Sequence, residues 1–321
     1  MLRAAWKSRL ALLGACSSAP AIPAACAAYA RTVCALRDGC TAGLGVLVRY
    51  GDSATCEARE AVACGRELAA PGTGVTAAVL EACTAALPAQ SCGTFFEDRP
   101  IAACAAAGAR AIGAGCAVNG QCAAGYCQLA GGSACGACAA APAAGAPCPN
   151  TGEVAAGLAC SKVTRTWVPL GGAGAACDAG DPCGAGLACV GADPPHQVPG
   201  ACLAAITTLD AACDPQRATG ADCDRNLGLY CTAAGTCADI ILAEPWGDCG
   251  RLLDDSVAMC TYGSVCIFPV GSRQGTCVQP VPDGTTCDSA SGPPCLAPAR
   301  CVSPDGGTTG TCQLLDPAAC G

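Results

Sequence analysis

The sequence predicts a small disulfide-rich fold: an N-terminal cross-linked helical bundle followed by tandem two-disulfide knots with short β-hairpins, elongated overall. Three observations predict it. Of 321 residues, 33 are cysteine, a share that marks a disulfide scaffold rather than an ordinary globule. Between Ala21 and Ala111, eight cysteines lie among helix-forming residues. From about Gly113 onward four-cysteine units recur, and the first cysteines of four regular ones are 36, 36 and 38 residues apart, the signature of an internal repeat.

Composition explains the need for cross-links. The hydrophobic share of 52% includes every Ala and Cys, and the aromatic residues are only 3 Phe, 3 Trp and 5 Tyr. At about 25 cal/mol per Å² of buried apolar surface, small side chains contribute little each. A disulfide closing a loop of roughly 10–25 residues contributes about 3 kcal/mol, mainly by constraining the unfolded chain. Cross-links on this scale persist in an oxidising compartment, which implies export. The net charge of −8 and the lack of a basic stripe argue against nucleic acid as a partner. No run of 18 apolar residues is present, so no transmembrane helix is expected.

Residues 1–16 read as an export signal. Arg3, Lys7 and Arg9 precede Leu10–Leu13, and Leu13-Gly14-Ala15-Cys16 resembles a bacterial lipobox. Cys16 is therefore expected to be lipidated, the only means of membrane attachment the sequence suggests. The apolar run, about six residues, is shorter than the roughly 7–15 of an ordinary signal; the alternative is an Ala/Leu-rich leader with an incidental cysteine. Without Cys16 there remain 32 cysteines, an even number, and loss of the three basic residues takes the charge to −11.

Residues 17–111 form the helical cysteine-rich domain. Cys26, Tyr29, Ala30, Val33 and Cys34 fall on one face of a first helix over Cys26–Cys40. A second helix is expected after Asp52-Ser53, with Asp52 suited to cap it, running through Cys56 and Cys64 to about Leu68. A third starts near Thr76, buries Val79, Leu80, Cys83 and Leu87, and stops at Pro88. Cys92 and Cys104 follow in a loop or short helix, allowing up to four disulfides.

Residues 112–170 are an irregular opening. Cys116, Cys122, Cys127, Cys135, Cys138, Cys148 and Cys160 make an odd set of seven. Cys320 is the other orphan, so either the two sets join over a long distance or a thiol stays free. Residues 171–205 hold Cys177, Cys183, Cys189 and Cys202; residues 206–242 hold Cys213, Cys223, Cys231 and Cys237. Residues 243–281 hold Cys249, Cys260, Cys266 and Cys277; residues 282–321 hold Cys287, Cys295, Cys301, Cys312 and the tail. Each set is expected to pair first to third and second to fourth, although four cysteines permit three pairings. Flexible joints are expected at Ala192–Pro199 and Gln279–Pro282.

The local wording repeats too. Cys183-Gly-Ala-Gly-Leu-Ala-Cys189 compares with Cys260-Thr-Tyr-Gly-Ser-Val-Cys266 and with Gly228-Leu229-Tyr230-Cys231, and every unit closes on Gly-Ala-Cys or Gly-Thr-Cys. These units resemble Dickkopf N-terminal cysteine-rich modules. The order of a helical cysteine region followed by tandem knots is similar to that of cysteine-rich exported proteins and lipoproteins of myxobacteria. The resemblance implies a location, an outer-membrane lipoprotein or a cell-surface or extracellular protein, and a shape, but no activity.

Chemistry-bearing residues are few. Cys135-Gly-Ala-Cys138 is the one Cys-x-x-Cys, the spacing of thiol redox proteins, but its Gly-Ala-Cys ending is the repeat's own. A single such pair does not make a zinc site. Asp178, Asp181, Asp254 and Asp255 sit in turns without a calcium-loop pattern and read as solvated acids. His196, the only histidine, lies in a Pro-rich loop without a nucleophile beside it. Trp167 and Trp246 read as plugs over knots rather than ligand contacts. The sequence thus predicts a non-enzymatic exported structural or binding protein of the bacterial envelope, with a protein or glycan ligand and no cofactor or metal. The alternatives are an envelope thiol-disulfide redox protein using Cys135 and Cys138, and a secreted protease-inhibitor-like knot.

Overall fold

The computed structural model describes residues 22–129, 132–148, 154–161, 163–178, 182–193, 196, 198–304 and 306–320; the expected lipidation site Cys16 lies outside them. Five helices open the chain: α1 (Ala24–Gly39), α2 (Leu44–Tyr50), α3 (Ser53–Leu68), α4 (Ala77–Ala86) and α5 (Cys92–Phe96). Their starts follow local chemistry. Asp52 accepts a hydrogen bond from Thr55 N–H at 2.6 Å, Thr76 from Val79 N–H at 3.2 Å and Ser91 from Thr94 N–H at 3.1 Å, each satisfying an otherwise unpaired donor of the first turn. None of these helices is long and apolar enough to cross a membrane.

Disulfides share the core of this domain with a few aliphatic side chains. Cys26–Cys64 and Cys34–Cys56 bolt α1 to α3; the reversed order of the partners makes the two helices antiparallel. Cys40–Cys92 ties the end of α1 to the start of α5, and Cys83–Cys104 holds α4 to the turn at Ala102–Cys104. Cys26, Ala30, Val33 and Cys34 are buried on the face of α1 that the spacing indicates, with Tyr29 half-buried. Leu80, Cys83 and Leu87 are buried on the third predicted helix, whereas Val79 is only partly so.

The remainder is a series of small sheets. In the opening unit Gly136–Cys138 is the middle strand, flanked by Gly115–Cys116 and Cys127–Gln128. The units at 171–205 and 282–321 repeat this order, last strand in the middle. The unit at 206–242 keeps only a two-stranded ladder, Leu229–Cys231 with Cys237–Asp239. The unit at 243–281 is a five-stranded sheet that recruits Ile241–Ala243 as a parallel edge strand beside Val257–Cys260. Residues 154–169 form a separate three-stranded meander closed by Cys148–Cys160.

All four regular units pair first to third and second to fourth: Cys177–Cys189 and Cys183–Cys202, Cys213–Cys231 and Cys223–Cys237, Cys249–Cys266 and Cys260–Cys277, Cys287–Cys301 and Cys295–Cys312. The opening unit does the same with Cys116–Cys127 and Cys122–Cys138. The register explains the arrangement. The third and fourth cysteines face each other across adjacent strands, as at Cys189 and Cys202 or Cys301 and Cys312. Each then bonds outward, to the first and second cysteine.

The closing glycine also has a geometric reason. In four units it lies opposite the first cysteine, on the strand that pairs with those of the first and third: Gly136, Gly200, Gly275 and Gly310. A Cβ there would come within 2.2–2.4 Å of the carbonyl oxygens of Gln128, Val190, Ile267 and Val302 respectively, so no larger residue fits.

One expected joint needs correction, while the other, Ala192–Pro199, lies partly outside the described residues. Arg110, Gly171, Ile206 and Val281 each form a parallel bridge to the second cysteine of the unit that follows, and Ala243 pairs likewise with Cys260. The Gln279–Pro282 joint is held in this way, with Val281 N–H donating to Pro294 O at 2.8 Å. Each β unit also contacts the helical domain. The opening unit meets the loop after α3 through Gly74 N–H to Gly120 O at 2.8 Å, and the meander meets Glu97 through Gly157 N–H at 2.9 Å. Ala185 N–H donates to the Glu97 carboxylate at 2.9 Å. Gly228 lies against Leu44 of α2, and Tyr262 and Gly263 N–H donate to Leu47 O and Val48 O at 2.9 and 2.8 Å. Arg59 of α3 forks onto Asp283 with two 2.8 Å contacts. Cys135–Cys320 then joins the last unit to the first.

Candidate functional site

Every cysteine from Cys26 to Cys320 is in a disulfide, and the odd set of seven is resolved by Cys135–Cys320. Cys135 and Cys138 therefore belong to different cross-links, Cys138 being bonded to Cys122. The spacing of a dithiol pair is present without the bond that such chemistry uses. The first three cysteines of five units bring their sulfurs within 4.8 Å of one another. That clustering follows from two abutting disulfides, and a bonded sulfur offers no thiolate to a metal.

The other residues singled out are dispersed. His196 Nδ1 lies 2.7 Å from Asp193 Oδ2, both exposed. Asp254 accepts from Ser256 N–H and Oγ–H at 3.0 and 2.6 Å, a local turn contact, and Asp255 faces Arg251 at 3.5 Å. Asp178 lies in another unit, and Asp181 is outside the described residues. Trp167 is buried with Tyr126, Cys148 and Cys160, a plug as expected. Trp246 is 68% exposed at a position with φ of 71°, so it plugs nothing. The fully exposed Val270 sits in a tight turn closed by Ser272 N–H to Pro269 O at 2.9 Å, unlike the extended segment a protease cleft takes.

The feature that spacing alone misses is a cavity of about 920 Å³ between the helical domain and the first β units. Tyr29, Val33 and Arg37 of α1 and Glu60 and Glu67 of α3 line one side; α5 adds Phe95 and Phe96, and Tyr126 faces them from the opening unit. The signal was present as periodicity: 29, 33 and 37 form one helical stripe, and 60 and 67 another. A polar residue repeating on a stripe that should be apolar is what marks such a wall.

Its electrostatics are unusual for so lightly charged a chain. Burial pushes the Tyr29 phenol up to about 12, with the charges of Glu67, Glu60 and Asp98 acting in the same direction. Burial also raises the Glu67 and Asp98 carboxyls, although each accepts a backbone hydrogen bond, from Gly120 and Ala156 respectively, that acts the other way. Arg37 stacks over Phe95 with its guanidinium carbon 5.4 Å from the ring centre, and its buried Nε has no hydrogen-bond partner among the described residues. Arg99 at the rim is held by Glu97, Nε to Oε2 2.5 Å. The Glu60 carboxylate accepts the Tyr50 hydroxyl proton.

No family model, curated protein or solved structure matches the chain. The chain is a disulfide-stapled scaffold of the kind that an oxidising environment maintains.

Proposed function

We propose that this is a non-enzymatic structural and binding protein exported to the bacterial cell envelope and tethered through a lipid on Cys16, presenting its surface to a protein or glycan ligand. The observation that supports this best is the complete closure of the cysteines from Cys26 to Cys320 in intrachain disulfides. Among the described residues no thiolate is left to act as nucleophile or metal ligand, and the framework closes on itself through Cys135–Cys320. A series of tied units against a bolted helical domain suits display of a fixed surface under extracellular conditions.

Mass spectrometry of the mature protein tests the anchor: a diacylated or triacylated Cys16 at the N-terminus is expected, and an uncleaved Met1 refutes it. Thiol titration in denaturant tests the scaffold reading. Absence of free thiol, with no disulfide reductase turnover on a model substrate, is expected; turnover abolished by Cys135→Ser would favour the redox reading instead.

A further inference from the structure

We propose that the cavity between the helical domain and the first β units binds an organic ammonium ion that carries an apolar body. The proposal goes beyond the envelope-scaffold reading and does not depend on the anchor.

Four of the eleven aromatic residues of the chain, Tyr29, Phe95, Phe96 and Tyr126, meet at this one cavity. Aromatic faces attract cations that have shed part of their water, and Arg37 over Phe95 shows that geometry already in use. Alanine and other small apolar residues supply much of the remaining wall, suited to a hydrocarbon body. The volume, about 920 Å³, falls in the roughly 300–1,000 Å³ range of small-molecule sites.

Charge completes the match. Glu60, Glu67 and Asp98 all act on the Tyr29 phenol, so three carboxylates converge on one region. Arg37 is the lining cation left to oppose them, because Arg99 is engaged by Glu97. Burial raises the carboxyls of Glu67 and Asp98, so a cation seated beside them would favour their charged forms. Tyr29 lines the cavity and carries a hydroxyl whose oxygen can accept a hydrogen bond from an N–H donor. A hydrated divalent ion gains nothing from the aromatic wall; an alkylammonium or arylalkylammonium ion uses both halves.

The test is calorimetric titration of the oxidised full chain at pH 7 with 4-phenylbutylammonium, with 4-phenylbutanol as the uncharged analogue and calcium chloride as the competing class. Saturable one-to-one binding of the amine is expected, with the alcohol about tenfold weaker or more, as loss of a desolvated cation–π and charge contact implies. Glu67→Gln weakens the amine by about tenfold and leaves the alcohol unchanged; Asp98→Asn, at the exposed rim, does the same if the first variant folds poorly. Equal affinity for amine and alcohol, calcium binding that displaces the amine, or no saturable heat would overturn the proposal. Any of these results leaves the envelope-scaffold reading intact, since that rests on thiol and N-terminal analysis.

Discussion

Cys135 is bonded to Cys320 across 185 residues of chain, so the last cysteine of the protein closes the first β unit. The clasp is not alone. Arg110 donates to the carbonyls of both Gly115 and Cys320, and the buried Gln121 amide donates to Pro71 O and Pro317 O, each at 3.1 Å. Ser303 N–H donates to Gly132 O at 2.8 Å. A double Cys135→Ser, Cys320→Ser variant is therefore expected to fold with all other disulfides in place and to lose about 2–4 kcal/mol, the usual range for one cross-link. Denaturant unfolding and peptide mapping check this. An unchanged midpoint would show that the hydrogen bonds alone hold the clasp.

Arg59 is the main side-chain tie between α3 and the last unit. Its two terminal nitrogens meet the Asp283 carboxylate at 2.8 Å each, while Nε and Nη2 also reach Ala297 O and Leu296 O at 3.1 and 2.9 Å. A planar fork with four acceptors has no equivalent in lysine. Arg59→Lys is expected to cost nearly as much as Arg59→Ala, roughly 1–3 kcal/mol, since charge-assisted hydrogen bonds carry most of the effect. Asp283→Asn should cost less, because the two carbonyl contacts survive. A double-mutant cycle by denaturant unfolding separates the pair from the rest.

The closing glycines offer a sharper contrast. Gly310→Ala places a Cβ 2.2 Å from Val302 O, on backbone that the central strand cannot move away from. Overpacking of this kind costs typically about 1–3 kcal/mol, and here it also disturbs the register that sets Cys301 beside Cys312. Mispaired disulfides on oxidative refolding are the expected readout. Gly172→Ala is the matched control, since a Cβ there meets nothing within 4 Å; it should refold like the parent.

The same contrast explains which parts of the fold were legible in the sequence. The long helices α3 and α4 announce themselves through the capping residues Asp52 and Thr76, and α1 through Cys26 and Cys34 at helical spacing. Helix α2 does not: it is seven residues long, starts after Gly43 at φ of 92°, and has no side-chain cap. The pairing within each unit follows local spacing, because short loops close at low entropic cost. Cys135–Cys320 leaves no such trace. The parallel bridges at the joints are backbone contacts that any residue makes, so Arg110, Gly171, Ile206 and Val281 share no side-chain signature. The cavity draws its walls from four helices and two β units, and only the assembled chain brings Tyr126 and Tyr29 to one cavity.

Two acids respond to pH in opposite directions. Asp214 accepts backbone hydrogen bonds from Gln216, Thr219 and Gly220 at 2.9, 2.8 and 3.3 Å, which hold its carboxyl at about 2 against an ordinary 3.8. The folded form binds its proton less tightly than the unfolded chain. Its contribution is therefore present above about pH 3.8 and is lost as pH falls through about 2. Glu67 is the reverse, because burial raises its carboxyl above the ordinary 4.5. Its folded form binds the proton more tightly, so stability is favoured below pH 4.5 and declines as pH rises through the raised value. Glu67→Gln keeps an oxygen to accept from Gly120 N–H and removes the charge, so its melting temperature at pH 7 should equal or exceed that of the parent. Asp214→Asn should lower stability at pH 7 and converge on the parent at pH 2. Thermal unfolding of both variants across pH 2–7 measures the two slopes. A Glu67→Gln variant less stable than the parent at neutral pH would mean that the cavity already supplies a partner for that charge.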